Sequence, residues 1–187
     1  MIHSLRFTAV LDTNVVYPVI IRDILFWFAY YELYTPKWSE HIFDEWKRVM
    51  KEKGVTNEEA NKRISKANLA FPDALVKNYK SLIKHLELPD LDDRHVLAAA
   101  IKTNANVIVT NNIKDFPIEI LQSFSLHAKT ADDFLTDVID LNQEQALAAF
   151  KEMVVNKKNP KQDEFEVLNL LKNAGLKDTA NYIHALL

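Results

Sequence analysis

The sequence predicts an α/β fold with a mostly parallel sheet, because short buried strands alternate with amphipathic helices along the chain. Phe7–Leu11 and Asn106–Thr110 are runs of mainly apolar residues bounded by turn-forming residues, which is typical of parallel strands covered on both faces. Beyond about residue 142 the pattern is helical only. We therefore expect one α/β domain over residues 1–141 and a helical extension over residues 142–187.

The composition restricts the class of protein. With 187 residues and 48% hydrophobic content, the chain forms one domain, or one domain with an appendage. It has no cysteine, which excludes a disulfide framework, a thiol nucleophile and a thiolate metal site. No secretory signal pattern opens the sequence, and the longest mainly apolar run, 15–31, contains Arg22 and Asp23 and is too short to span a membrane. We expect a cytoplasmic protein that does not associate with membranes.

The charges of the chain are unevenly distributed. Its net charge is −3, whereas the segment 47–84 carries ten Lys and Arg residues against four Asp and Glu residues. Such a segment is either an electrostatic footprint for nucleic acid or an ordinary solvated helical face. Charge alone leaves both interpretations open.

The segments after the first strand predict four helices and one further strand. They are, in order, a helix over 18–31, a strand over 33–35 closed by Pro36, a helix from the N-cap Ser39 to about residue 53, a helix over 56–70 that begins with a capping box, and a helix from Pro72 to His85. The last two helices hold most of the basic excess. Because no turn-rich linker flanks them, we interpret them as an insertion over the sheet.

Glu45 falls within the apolar face of the helix that begins after Ser39. A carboxylate on a buried face must be paired, protonated or bound to metal. Arg48, three residues further on, offers an ordinary salt-bridge partner. The position still makes Glu45 the acid of greatest interest in this segment.

Three acids, Asp90, Asp92 and Asp93, precede the predicted helix 94–102. One of them caps the helix, and acids are favourable at the positive end of the helix dipole. Helix capping explains one or two of these acids and leaves at least one without an explanation. Asp93 shares a face with the apolar residues of this helix, so we expect it to point inward.

The remaining segments are mainly helical. They are a weak strand over 125–129, a helix from Thr130 to Leu141, a helix that begins at Asn142, a last full helix that opens at Asn159-Pro160 and is closed by Gly175, and a short amphipathic end. The apolar residues of the last full helix lie over about 163–173 and give it more apolar surface than a free end needs. We expect the tail to dock on its own domain or to form a dimer.

Polar side chains follow the two most clearly predicted strands. Asp12 and Asn14 come after the first strand, and Asp115 comes after the strand that ends at Thr110. The carboxyl ends of parallel strands form the edge where ligands bind in open α/β sheets. In an ordinary structural role, Asp12 or Asn14 would only turn the chain and cap the next helix.

Asp12, Glu45, Asp93 and Asp115 thus stand at the same predicted edge of the sheet. Carboxylates 4 Å apart repel by roughly 4 kcal/mol per pair at an effective dielectric constant near 20, so such a cluster binds a cation or holds protons. Oxygen ligands without Cys or paired His suit Mg²⁺ or Mn²⁺ better than Zn²⁺. Ions held in this way bind phosphates and activate water, which indicates metal-dependent phosphoryl chemistry.

Four motifs, in this order and over about residues 5–140, resemble those of PIN-domain proteins. They are Leu11-Asp12-Thr13-Asn14, the helix that carries Glu45, Asp92-Asp93-Arg94-His95-Val96-Leu97-Ala98-Ala99-Ala100, and Val109-Thr110-Asn111-Asn112-Ile113-Lys114-Asp115-Phe116. The Asp-Asp-Arg-His motif, together with a helical tail, resembles the toxin component of VapBC-type toxin–antitoxin pairs. The resemblance implies a parallel sheet with helices on both faces.

The resemblance also implies an activity: Mg²⁺-dependent cleavage of RNA phosphodiester bonds, with Mn²⁺ as an alternative ion, by the toxin of a type II pair. We expect RNA as substrate, a cognate antitoxin as partner, and a homodimer. The catalytic and metal-binding residues implied by position are Asp12, Glu45, Asp93 and Asp115. The substrate-positioning residues implied are Asn14, Thr110 and Asn112. Asn112 stands where many relatives have an acid, which weakens the expectation of a second metal site.

Three other kinds of protein are alternatives at this point. A degenerate domain that binds RNA or a protein without cutting would account for Asn112. A haloacid-dehalogenase-like phosphatase needs a second Asp two residues after Asp12, where this chain has Asn14. A response-regulator receiver would leave the run after Thr110 without a role. His95, two residues after Asp93, is a possible general base, but we interpret it as a helix-surface or packing residue.

Overall fold

The computed structural model describes residues 7–187 of the chain. Within them, the strands are β1 (Thr8–Leu11), β2 (Thr35–Ser39), β3 (Leu75–Val76), β4 (Val107–Val109) and β5 (His127–Lys129). They form one parallel sheet in the order β3-β2-β1-β4-β5. The chain builds outward from β1 to β3 on one side and returns to β4 and β5 on the other, so strand order reverses between β1 and β4. Ligands bind at such a reversal point, outside the carboxyl ends of the strands.

The helices of the described residues alternate with these strands and then continue alone. They are α1 (Thr13–Val16), α2 (Val19–Tyr30), α3 (Glu40–Glu52), α4 (Asn57–Ala70), α5 (Lys80–Ile83), α6 (Arg94–Lys102), α7 (Ile118–Leu121), α8 (Ala131–Leu141), α9 (Gln143–Asn156), α10 (Glu164–Asn173) and α11 (Lys177–Leu186). The predicted α/β fold with a parallel sheet and a helical C-terminal part is confirmed. None of these helices has the length and apolar character needed to cross a membrane.

The central strand is covered on both faces. Ala9, Val10 and Leu11 are all completely buried, although successive side chains of a strand point to opposite faces of the sheet. On one side α6, whose residues 96–100 are fully buried, packs against β1, β2 and β4. This burial explains why the first strand is a continuous apolar run and not an alternating one.

Side-chain caps at the predicted helix starts confirm much of the boundary assignment. Ser39 accepts a hydrogen bond from the Ile42 amide, and Thr56 accepts one from the Glu59 amide. Thr130 and Asn142 cap α8 and α9 in the same manner. Each of these polar side chains satisfies an amide that has no partner inside its own helix.

The second strand differs from its prediction. We predicted residues 33–35 with Pro36 as the end, whereas β2 starts at Thr35 and runs through Pro36 to Ser39. Pro36 pairs in register with Ala9 of β1, and β3 accompanies only Trp38 and Ser39 on the other side. The missing N–H of the proline therefore removes no bond from the sheet.

The predicted helix from Pro72 to His85 is wrong. This segment contains β3, a turn in which Asn78 has a φ of 59°, and the short helix α5. Leu75 and Val76 pair with the end of β2, so the segment extends the sheet and is not merely an insertion over it. Tertiary pairing has here overridden a helical spacing of apolar residues.

The C-terminal helices pack against the α/β part of the chain. The helix after Gln162 begins at Glu164 and not at Asn159-Pro160, because Asp163 and Glu166 form a complete capping box. Contacts join α9 to α2 and α11 to α8, and Phe150 of α9 is completely buried. The expected docking of the tail on its own domain is therefore confirmed. The division at residue 141 stays a prediction.

Candidate active site

Asp12 lies at the carboxyl end of β1, at the reversal point of the sheet. Its amide donates to the Val109 carbonyl at 3.0 Å, so the ends of β1 and β4 stay together. Its side chain is buried and accepts three hydrogen bonds: from the Thr13 amide at 2.6 Å, from Asn14 Nδ2 at 2.6 Å and from Thr110 Oγ1 at 2.8 Å. Both the predicted catalytic role and the ordinary capping role of Asp12 are compatible with these bonds.

The predicted polar residues beside Asp12 form one network. Asn14 Nδ2 donates to Thr110 Oγ1 at 2.8 Å, and Asn14 Oδ1 accepts from the Asn111 amide at 2.9 Å. The Asn112 amide donates to the same Thr110 hydroxyl at 3.1 Å, and its side chain donates to Asp115 Oδ2. The structure thus brings all three predicted positioning residues to the acids, and each one holds a carboxylate or its neighbour.

Glu45 reaches the site from α3. Thr13 Oγ1 donates to Glu45 Oε2 at 2.5 Å, and His95 Nε2 lies 3.1 Å from Glu45 Oε1. Thr13 therefore connects Glu45 to Asp12, since its amide is bonded to Asp12. Arg48, the ordinary salt-bridge partner that the sequence offered, forms no salt bridge with Glu45 among the described residues, and the contact is made by His95 instead.

Asp93 and Asp115 lie close together, with a third carboxylate that the sequence interpretation did not select. Oxygen atoms of Asp90, Asp93 and Asp115 lie within 4.8 Å of one another. Asp90 had a signal in the sequence, because the run before α6 contains more acids than capping requires. Asp93 occupies the N-cap position of α6 without a side-chain capping bond, so its carboxylate is available to the site.

The acids perturb each other's ionisation. Burial, followed by the charges of Asp12, Asp90, Asp115 and Glu45, raises the pKa of Asp93 to about 7. Burial also raises the pKa of Asp12, against the lowering effect of the Thr110 and Thr13 hydrogen bonds. For Glu45, burial acts to raise the pKa, but the hydrogen bonds from His95 and Thr13 outweigh it and the pKa lies below its usual value. The site therefore combines a carboxylate whose ionised form is favoured, Glu45, with one whose pKa lies near neutral pH, Asp93.

The donor set fits a hard divalent cation. Within residues 7–187, no salt bridge neutralises Asp90, Asp93 or Asp115. Three close carboxylates without a cationic partner, beside the buried Asp12, leave a concentration of negative charge that a cation would relieve. Asp12 and Glu45 lie outside the group of three, although both act electrostatically on Asp93.

His95 is the residue whose role sequence reasoning most underestimated. It is buried, as a packing residue would be, but its Nε2 bonds to Glu45 and its Nδ1 is buried without a hydrogen-bond partner among the described residues. Its ring lies 5.1 Å from that of His41, which is bonded to the Tyr79 hydroxyl. The spacing of Asp93 and His95 placed both at the start of one helix but could not show which way the imidazole points.

The chain that forms this parallel sheet, with clustered acids at its reversal point, matches two models of known protein families. The PIN domain profile matches residues 8–114, which is more than half of the chain, and the chain belongs to the PIN-domain family. Residues 131–185 match a second profile, described as the VapC50 C-terminal domain.

Part of the chain is also similar to a curated relative. The chain is 48% identical over 62 residues to the "Putative ribonuclease VapC50" of Mycobacterium tuberculosis (strain ATCC 25618 / H37Rv). The matched segment covers 33% of this chain and spans only 37% of the length of that relative. No solved structure matches the chain.

Proposed function

We propose that this protein is a Mg²⁺- or Mn²⁺-dependent endoribonuclease that hydrolyses RNA phosphodiester bonds and acts as the toxin of a type II toxin–antitoxin pair. The observation that carries the proposal is the meeting of Asp12, Glu45, Asp90, Asp93 and Asp115 at the carboxyl edge of the sheet of a PIN domain. The partial likeness to a protein named as a VapC50 ribonuclease supports the substrate class and the toxin role.

The metal would be held by Asp90, Asp93 and Asp115, with Asp12 as a direct ligand or a ligand through water. A divalent ion in such a site binds a phosphate oxygen and lowers the pKa of a bound water. Asp90 is the member that the motif resemblance did not supply. It provides a third carboxylate beside Asp93 and Asp115.

Hydrogen bonds from neighbouring residues would keep the Asp12 and Glu45 carboxylates in place. Thr110 and Asn14 hold the Asp12 carboxylate, and Thr13 and His95 hold that of Glu45. Glu45, whose carboxylate is fixed by Thr13 and His95, would reach the metal directly or through a water. Asn14 and Asn112 stay candidates for positioning the substrate, and the buried Thr110 would do so through the Asp12 carboxylate that it holds.

The experiment that tests the activity is cleavage of a single-stranded RNA by the purified protein with added Mn²⁺ or Mg²⁺, and with EDTA. Asp93→Asn should abolish cleavage, whereas the matched change Asp73→Asn, on an exposed loop, should leave it intact. RNA binding without cleavage by the parent protein in either metal would instead support the degenerate binding module, for which Asn112 is the specific observation.

The partner and the oligomeric state are tested separately. We expect the reading frame next to this one to encode a small DNA-binding protein that copurifies with the chain and suppresses RNA cleavage. We expect the chain alone to sediment as a homodimer. A monomer that is inactive on RNA, with no such neighbour, would contradict the toxin proposal.

A further inference from the structure

A cleft of about 510 Å³ lies directly beside the acids. One wall is a single face of α3, on which His41, Asp44 and Arg48 stand at helical spacing. Glu45 and His95 line both this cleft and the acidic site. A group bound in the cleft would therefore lie next to the group bound at the acids.

The charges of the α3 cleft are mixed and are not uniformly basic. Arg48 and Arg94 supply two positive charges, and Asp44, Glu45 and Asp92 supply three negative ones. A phosphate group in this cleft would be repelled by the net negative charge. At the acidic site a bound divalent cation would compensate for this repulsion, but the cleft has no such cation. A neutral ligand with both donors and acceptors meets no such penalty.

The polar groups of the cleft are free to bind a ligand. Within the described part of the chain, no salt bridge involves Arg48, Arg94, Asp44 or Asp92. Asp44, Arg48 and Asp92 are exposed. Arg94 donates through Nε to the Leu91 carbonyl at 2.7 Å, which fixes its stem and leaves its terminal nitrogens as donors.

Flat and apolar surfaces accompany these groups. The His41 ring is held by a 2.6 Å hydrogen bond between its Nδ1 and the Tyr79 hydroxyl, and Ile83 and Leu91 add aliphatic surface. Unpaired RNA bases are recognised by stacking on aromatic rings or guanidinium planes, with hydrogen bonds to their edges. The cleft offers both kinds of contact.

We propose that the α3 cleft seats one unpaired guanine of a single-stranded RNA, next to the phosphate that is cut; this inference rests on the proposed ribonuclease function. Guanine presents O6 and N7 as adjacent acceptors for an arginine and N1–H and N2–H as adjacent donors for a carboxylate. We assign Arg48 to the first edge and Asp44 to the second, because both stand on the α3 face that lines the cleft. The cleft thereby makes cleavage sequence-selective at one position.

The first arm of the test measures binding without cleavage. Saturation-transfer NMR in EDTA is recorded with guanosine, and with adenosine and cytidine for comparison. Guanosine should give the strongest transfer, and Arg48→Gln and Asp44→Asn should each reduce it, whereas Lys151→Gln on α9 should not. Equal transfer from the three nucleosides, or an unchanged guanosine signal in both variants, overturns the proposal.

The second arm maps cleavage sites on an RNA pool that is randomised in sequence, with Mn²⁺ present. We expect an enrichment of guanine, by about 5- to 150-fold, at one position beside the cut, and its loss in Arg48→Gln. Cleavage without any base preference would remove the cleft from substrate recognition and leave the ribonuclease proposal intact. Guanosine binding by a protein that cuts no RNA would support guanine binding in the α3 cleft and contradict the ribonuclease proposal.

Discussion

Thr110 and Asp12, 98 residues apart in the sequence, are joined by a 2.8 Å hydrogen bond in which the Thr110 hydroxyl donates to Asp12 Oδ2. Both residues are buried at the ends of β4 and β1. The bond therefore serves the fold and the site together: it connects the two central strands, and it favours the ionised form of a carboxylate that burial drives toward protonation.

Removing the Thr110 hydroxyl tests whether its bond to Asp12 supports both stability and metal binding. Thr110→Val keeps the shape but leaves Asp12, Asn14 and the Asn112 amide short of a partner, so the free energy of unfolding should fall by about 1–3 kcal/mol. Affinity for Mn²⁺ should fall as well, because Asp12 becomes harder to ionise. Urea unfolding and calorimetric titration measure the two effects. Thr103→Val, which removes a local hydroxyl bond within α6, should reduce stability without reducing metal affinity.

His95 is expected to position Glu45. Because Nε2 of His95 is one of two donors to that carboxylate, His95→Leu should lower kcat for RNA cleavage by about 10–100-fold. KM should change much less, since the imidazole is buried and its Nε2 is already bonded to Glu45. Steady-state cleavage of a fluorogenic RNA separates the two constants. His85→Leu, at an exposed site after α5, is the control, and a rise in KM alone would assign His95 to substrate binding.

The metal-free protein should lose stability as pH rises from about 4 to about 7. With its pKa raised from 3.8 to about 7, Asp93 keeps a proton in the folded state that the unfolded chain releases, so folding is favoured below this range and disfavoured as pH passes through it. Unfolding free energies measured in EDTA across the range should decline for the parent protein. The decline should be smaller for Asp93→Asn and unchanged for Asp73→Asn; identical slopes in all three would remove Asp93 as its source.

The basic residues of α4 are expected to contact the RNA backbone. Neutralising Lys62, Arg63 and Lys66 together to Gln should weaken RNA binding and flatten its salt dependence, by up to about 0.7 log unit for each RNA phosphate that these side chains neutralise. Binding to an uncleaved RNA in EDTA at several salt concentrations gives the slope. The matched triple change of Lys151, Lys172 and Lys177 on the C-terminal helices should leave it unchanged. An unaltered slope in the α4 variant would make this face ordinary solvated surface.

The central strands and the helix starts could be predicted from the sequence because they depend on local signals. The continuous apolar runs marked the two central strands, and polar side chains before α3, α4, α8 and α9 marked the helix starts, since capping is decided within a few residues. β3 was missed because a two-residue strand has no periodicity of its own. Its existence depends on pairing with the end of β2.

The sequence predicted that acids gather at this edge of the sheet, but it did not show which bonds hold their carboxylates. The roles assigned to these acids stay a prediction. The strand ends and the inward face of α6 located Asp12, Asp93 and Asp115. The bonds of Thr13 and His95 to Glu45 join α1, α3 and α6, so they depend on how helices far apart in sequence pack. In the sequence, Asp90 was indicated only by the run before α6, which contains more acids than helix capping requires.

The central claim, that the clustered acids form a divalent metal site, is tested most directly by the effect of Mn²⁺ on thermal stability. A ligand that binds only the folded state stabilises it by about 2.7 kcal/mol at 100 times its dissociation constant. Scanning calorimetry with and without Mn²⁺ should therefore show the same rise in melting temperature for the parent protein and for Asp73→Asn. The shift should be much smaller in Asp93→Asn, which removes one of the three closest carboxylates. Equal shifts in all three proteins, or no shift in the parent, would contradict a metal site at Asp93.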